Sequence, residues 1–167
     1  TNDKDINKKL KSIRIHGKGN DKYDNVRIGI NGRLDTIQAA ILLQKLTVFD
    51  KEIESRQIVS NQYSSYLKND YVVPYIPQNY KSSWAQYSIL VKDSKQRSKL
   101  MDKLKNKGIP TAIYYPIPLH LQKAYRFLGH NKRDFDTCEE ISKCIFSLPM
   151  HPYLKNFQIE KIVKELI

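Results

Sequence analysis

An amide, a guanidinium and a carboxylate fall together in Asn31-Gly32-Arg33-Leu34-Asp35, directly ahead of an apolar run. Asp35 is placed to cap a helix by accepting from first-turn backbone N–H groups, with Gln38 three residues on to reach back. Ala39, Ala40, Ile41, Leu42 and Leu43 leave no polar face for a full turn, which predicts a helix start buried on several sides. A polar loop stiffened by such a helix can aim Asn31 and Arg33 at an anionic ligand. By residue type alone, the stretch is also read as an ordinary capped helix. In that reading Asn31 is a turn residue and Arg33 pairs with Asp35.

The pattern along the chain sets the helices, strands and loops around these residues. Asp3 to Ile13 reads as a short polar helix, and Gly17 to Asp21 as a loop whose Gly-x-Gly lacks the preceding strand and third glycine of a phosphate loop. From Asp35 the apolar positions Ile41, Leu42, Leu46, Phe49 and Ile53 keep helical spacing, and the pattern continues to Leu67, with Glu52 and Arg56 as an i,i+4 pair. Tyr71 to Tyr80 contains Pro74 and Pro77, so it is at best an edge strand and a loop. Ala85 to Val91 alternates as a half-buried strand. Ser94 is the expected cap of a helix that Gly108 ends in a left-handed turn. Thr111 to Tyr115 is the next expected strand, stopped by Pro116. A short helix over Leu121 to Leu128, ended by Gly129, is expected next, followed by a helix from about Asp134 into an apolar run ending at Leu148. Asn156 is the expected cap of a final helix burying Ile159, Ile162, Val163 and Leu166. The class is α/β, a small sheet covered by helices, and a crossover through the Ser94 helix points to two parallel strands.

Lys and Arg outnumber Asp and Glu by 29 to 17, a formal net charge of +12. The basic residues gather in Lys4 to Arg27 and Lys92 to Lys107. The second group is the solvated face of an amphipathic helix, and the first could attract a diphosphate. A basic nucleic-acid-binding module is the non-enzymatic alternative, and it would show a steep salt dependence. Cys138 and Cys144, six apart on a helix, suit neither a disulfide nor a metal site and fit a reducing cytoplasm. No apolar run reaches the length of a membrane span, and the polar, lysine-rich start lacks a signal-peptide core. A cytoplasmic protein without a membrane partner is expected.

Four stretches, in order, resemble the DegT/StrS family of sugar-nucleotide aminotransferases, enzymes that use pyridoxal phosphate. They are Arg14-Ile15-His16-Gly17, the Asn31-to-Ala40 segment, Pro110 to His120, and Ser147-Leu148-Pro149-Met150-His151-Pro152. The third and fourth are most similar to the branch acting on UDP-linked 3-keto sugars such as 3-keto-N-acetylglucosaminuronic acid. The resemblance implies the C-terminal portion of a fold-type-I enzyme: residues 1–48 as a remnant of the large cofactor domain with the inter-subunit loop and the start of a bridging helix, and residues 49–167 as a small C-terminal domain. The cofactor lysine and the aspartate that pairs with the pyridine nitrogen would lie upstream. The fragment alone would then be inactive, with no catalytic residue of its own.

The resemblance also implies roles for residues in this chain. Asn31 would reach from one subunit of a homodimer to the cofactor phosphate held by its partner. Arg33 would pair with a sugar carboxylate or with donor L-glutamate. Tyr114 and Tyr115, at a Pro-x-Pro turn, would border the sugar, although many relatives carry His at the position of Tyr114. His16 and His120 lie in family motifs as further substrate-binding candidates. His130 reads as surface, His151 as part of a packed turn and Trp84 as core. The implied reaction moves an amino group from L-glutamate to a keto group of a nucleotide-linked sugar for surface polysaccharide such as lipopolysaccharide. A sugar dehydratase of the same family is the enzymatic alternative.

Overall fold

The computed structural model describes residues 1–21 and 23–167. Lys22, one of the basic residues in the Lys4-to-Arg27 group, lies outside the described residues. The chain divides into two compact units, Thr1–Val48 and Phe49–Ile167.

In the first unit, α1 spans Lys4–Arg14 and is capped by Asp3, whose Oδ1 accepts from the N–H of Asp5 at 2.8 Å and of Ile6 at 2.9 Å. The chain leaving α1 pairs antiparallel with the stretch entering the next helix, through a bridge between Ile15 and Asn31. Ile30 N–H donates to the Ile13 carbonyl at 2.8 Å, His16 N–H to Ile30 at 2.9 Å, and Gly32 N–H to Arg14 at 2.8 Å. This contact requires two glycines. Gly17 has a φ of +76°, and a Cβ on Gly29 would stand 2.1 Å from the Gly17 nitrogen.

The long helix, α2, spans Thr36–Leu67, and the boundary between the units falls within it. Its N-terminal half departs from expectation. Ile37 is 72% exposed, Leu43 63% and Leu46 65%, so the apolar start is uncovered within this chain. The helix forms as the pattern predicts, while its apolar start is left uncovered by the described residues.

The core of the second unit forms around the C-terminal half of α2. Val59, Tyr63 and Leu67, four apart, present one buried stripe. The stripe packs with β1 (Tyr87–Leu90), α3 (Ser94–Asn106), β2 (Ile145–Leu148) and α5 (Asn156–Leu166) in one cluster. Tyr87 and Ile89 are fully buried while Ser88 and Leu90 are half-buried, as the alternation predicts. Full burial of side chains such as Ile89, Leu104 and Phe146 stabilises the unit by about 1.5–3 kcal/mol each.

The sheet is antiparallel, β1 with β2, and the two strands expected to be parallel, Ala85 to Val91 and Thr111 to Tyr115, do not pair with each other. β1 pairs with β2 in the register Tyr87 with Leu148 and Leu90 with Ile145. The Thr111-to-Tyr115 stretch is not a strand; it makes one antiparallel bridge, Ala112 to Ser147, while Val72 makes one to Leu90. β2 therefore lies between β1 and the Ala112 segment, and those two run in the same sense without pairing. Pro110 and Pro116 bracket that segment and remove ladder donors, which limits it to a single bridge.

Helix ends also differ in detail. Asp93, one residue before Ser94, caps α3 by accepting from Gln96 N–H at 2.8 Å. Asn156 is the first residue of α5, and the Gln158 side chain accepts from the Lys155 N–H at 3.0 Å. The helix expected over Leu121 to Leu128 is a pair of 3-10 turns, Leu119–Leu121 and Lys123–Leu128, followed by Gly129 in the left-handed conformation. α4 spans Asp136–Cys144.

Polar contacts tie α2 to the turn after β2. Tyr63 OH donates to the Pro149 carbonyl at 3.0 Å, and Arg56 Nη1 donates to Trp84 at 2.8 Å and Met150 at 3.5 Å. Trp84 is buried, as expected, with its Nε1–H donating to Gln57 Oε1 at 2.8 Å.

Candidate functional site

The candidate residues fall into two groups, one in each unit. In the first, the antiparallel contact with the end of α1 holds Asn31 just ahead of α2. Asp35 Oδ1 accepts from Ile37 N–H at 2.8 Å, and Gln38 Oε1 accepts from Asp35 N–H at 3.3 Å, so the capping box forms as the sequence predicts. Arg33 turns away from the ion pair with Asp35 that its spacing allowed. Its Nε–H donates to Asn31 Oδ1 at 3.0 Å.

That bond sets the direction of the amide. Arginine offers donors only, so the oxygen of Asn31 faces it, and the two Nδ2 hydrogens are left without a partner among the described residues. Asn31, Arg33, Leu34, Asp35 and Thr36 line a concavity of about 410 Å³. Because the Asp35 carboxylate already sits on the first turn of α2, an anion here would rely on the Asn31 amide and the Arg33 guanidinium. His16 is exposed in the same unit with a φ of +57°, and its ring makes no hydrogen bond among the described residues.

In the second unit, Tyr114 and Tyr115 are 48% and 64% exposed, with ring centroids 6.5 Å apart and planes at 83°. They form one side of an apolar groove of about 780 Å³, faced by Phe135 and by Cys138 and Ile141 of α4. Tyr114 also borders a smaller cleft of about 220 Å³ beside Ser147 and Met150. His120 is oriented inward. Its Nε2 lies 3.1 Å from Glu139 Oε1, both side chains are under a tenth exposed, and its ring packs on Phe135 with centroids 4.9 Å apart.

Glu139 was missed by sequence reasoning. It is the one charged residue in the buried set among the described residues, and its Oε1 also accepts from Arg133 N–H at 2.6 Å. That backbone bond, then the His120 bond, hold its carboxyl below the ordinary 4.5. Residue order offers no signal that separates Glu139 from the neighbouring Glu140, which is exposed. His130 is exposed and 3.7 Å from Asp134, in keeping with a surface position. No cluster of His, Cys, Asp or Glu able to hold a metal occurs among the described residues, and Cys138 and Cys144 are both free thiols. No helix among the described residues is long and apolar enough to cross a membrane.

The chain is similar to known proteins along its whole length. The profile of the DegT/DnrJ/EryC1/StrS aminotransferase family matches residues 1–167. A UDP-2-acetamido-2-deoxy-3-oxo-D-glucuronate aminotransferase of Pseudomonas aeruginosa is 38% identical over 167 residues, covering 99% of this chain and 45% of that protein. A dTDP-3-amino-3,6-dideoxy-alpha-D-galactopyranose transaminase of Aneurinibacillus thermoaerophilus is 32% identical, over 98% of this chain and 44% of that protein. Among solved structures, a DegT DnrJ EryC1 StrS aminotransferase from Brucella abortus superposes with a TM-score of 0.85 at 44% identity, over 99% of this chain and 44% of that one. The chain thus spans under half the length of these relatives. The reading of the +12 charge as a nucleic-acid module gives way to this evidence. The chain belongs to the DegT/DnrJ/EryC1/StrS aminotransferase family.

Proposed function

We propose that this chain is the C-terminal part of a cytoplasmic, homodimeric, pyridoxal-phosphate-dependent aminotransferase. The complete enzyme moves an amino group from L-glutamate to the keto carbon of a nucleotide-linked sugar, with a UDP-linked 3-keto uronic acid as the favoured class. The relative from Pseudomonas aeruginosa, named for a 3-oxo-glucuronate substrate, supports that class. The observation that carries the proposal is the Arg33–Asn31 bond, which leaves amide donors and a guanidinium beside one concavity.

Those residues fit the cofactor's phosphate. Nδ2 of Asn31 donates without adding charge, and the outer nitrogens of Arg33 form a planar fork suited to a carboxylate. The cofactor, when bound, supplies the electron sink for amino transfer. Residues 1–48 contribute the phosphate-binding amide and belong with the large cofactor domain; residues 49–167 form the small domain. The hydroxyls of Tyr114 and Tyr115 border the sugar, one phenol standing where many relatives have an imidazole. His16, exposed in the same unit but not among the residues lining that concavity, is a further substrate contact in this reading. His120 contributes through its contact with Phe135, behind the groove. The exposed apolar start of α2 supports burial against the large domain or the second subunit.

The lysine that holds the cofactor lies outside this chain. Purified residues 1–167 with pyridoxal phosphate and glutamate should therefore not aminate a UDP-3-keto sugar, whereas the complete enzyme should. Amination by the 167-residue chain alone, or none by the complete enzyme, overturns the proposal.

A further inference from the structure

We infer that Glu139 is a positioning residue that holds the two walls of the Tyr114–Tyr115 groove at a fixed spacing, gripping His120 on one side and the Arg133 backbone on the other. The inference rests on the reading that these tyrosines border the sugar. One wall comprises Tyr114 to Leu119 and runs directly into His120; the other includes Asp134 and Phe135 and directly follows Arg133. Glu139 Oε1 accepts from both, at 3.1 Å from His120 Nε2 and 2.6 Å from Arg133 N. A carboxylate can only accept, so His120 carries its hydrogen on Nε2, and the ring orientation against Phe135 is set.

Two features indicate that this clasp is specified and not incidental. The Glu139 carboxylate is buried, which is unfavourable unless it is hydrogen-bonded and paired. Arg133 adopts a φ of +77°, a left-handed conformation disfavoured for a residue with a Cβ, and in that conformation its N–H reaches Glu139. Irregular segments on both walls, the 3-10 turn Leu119–Leu121 and the loop at residues 129–135, are thereby anchored to one side chain of α4.

The test separates the two half-reactions of the complete enzyme. Glu139→Leu removes both bonds. It should lower kcat/KM for the UDP-3-keto sugar about tenfold or more, while the glutamate half-reaction, read by the change in cofactor absorbance, stays within about twofold. Glu139→Gln keeps an acceptor of the same reach and should restore most of the sugar half-reaction. Glu139→Asp, one methylene shorter, carries the same expectation as Glu139→Leu should that variant not fold. Equal loss in both half-reactions, or no loss in the sugar half-reaction, overturns the assignment. A wild-type enzyme that reacts with glutamate but with no keto sugar overturns the substrate reading and not the clasp, which is then judged by the fixed His120 ring signal in the NMR spectrum of wild type and its loss in Glu139→Leu.

Discussion

Arg33 donates its Nε–H to Oδ1 of Asn31 at 3.0 Å, and this one bond turns the Asn31 amide hydrogens outward. Lysine cannot reproduce it, because an ammonium lacks both the side-on N–H and the planar fork. Arg33→Lys should therefore weaken two things together. Affinity for the cofactor phosphate falls because the amide loses its orientation, and KM for the carboxylate-bearing substrate rises. Loss of one hydrogen bond to a charged group is worth about 1.5–3 kcal/mol, so a change of roughly 10–100-fold is expected in steady-state kinetics of the complete enzyme.

Stability should fall at both ends of the pH scale, for opposite reasons. Burial raises the phenol pKa values of Tyr63, Tyr71 and Tyr87 above 10.0. A raised value in the folded state contributes stability that is fully present below 10.0 and lost as pH rises above it. Glu139 behaves in the reverse sense: its carboxyl is held below 4.5 by the Arg133 N–H and then by His120, so its contribution is present above 4.5 and lost as pH falls below it. Thermal melts across pH should show both limbs. Tyr71→Phe, which removes the hydroxyl bonded to the Leu166 carbonyl at 2.6 Å, should soften the alkaline one.

The exposed first half of α2 carries a third expectation. Leu42 and Leu46, four apart, lie on one face and are both exposed. The double variant Leu42→Asp, Leu46→Asp should make the 167-residue chain more soluble without lowering its melting temperature, because no core residue is touched. In the complete enzyme it should block assembly, seen as a loss of the dimer in analytical ultracentrifugation. An unchanged dimer with an unchanged melting temperature would remove the reading that this face is covered in the complete enzyme.

Much of this arrangement was legible in residue order. The capping box at Asp35 and Gln38, the helical run of α2 to Leu67, the alternation in β1 and the left-handed stop at Gly108 are local, and local spacing reports them well. The antiparallel sheet was not legible, because strand direction depends on β2, which the apolar run after α4 gave no reason to place between β1 and Ala112. Burial of the α2 start was misread, since periodicity identifies an apolar face but not the surface that covers it. The bond from Arg33 to Asn31 was not legible, because both Asn31 and Asp35 lie two residues away and only the backbone decides between them. Glu139 escaped notice because a carboxylate on a charged helix ordinarily faces water.

Mixing two inactive complete enzymes tests the account most directly, one with Asn31→Ala and the other lacking its cofactor-holding lysine. If Asn31 serves the site of the opposite subunit, hybrid dimers contain one intact site, and activity should return to about a quarter of wild type after random reassortment. No recovery, with hybrids shown to form by mass, would mean that Asn31 does not act across the subunit boundary.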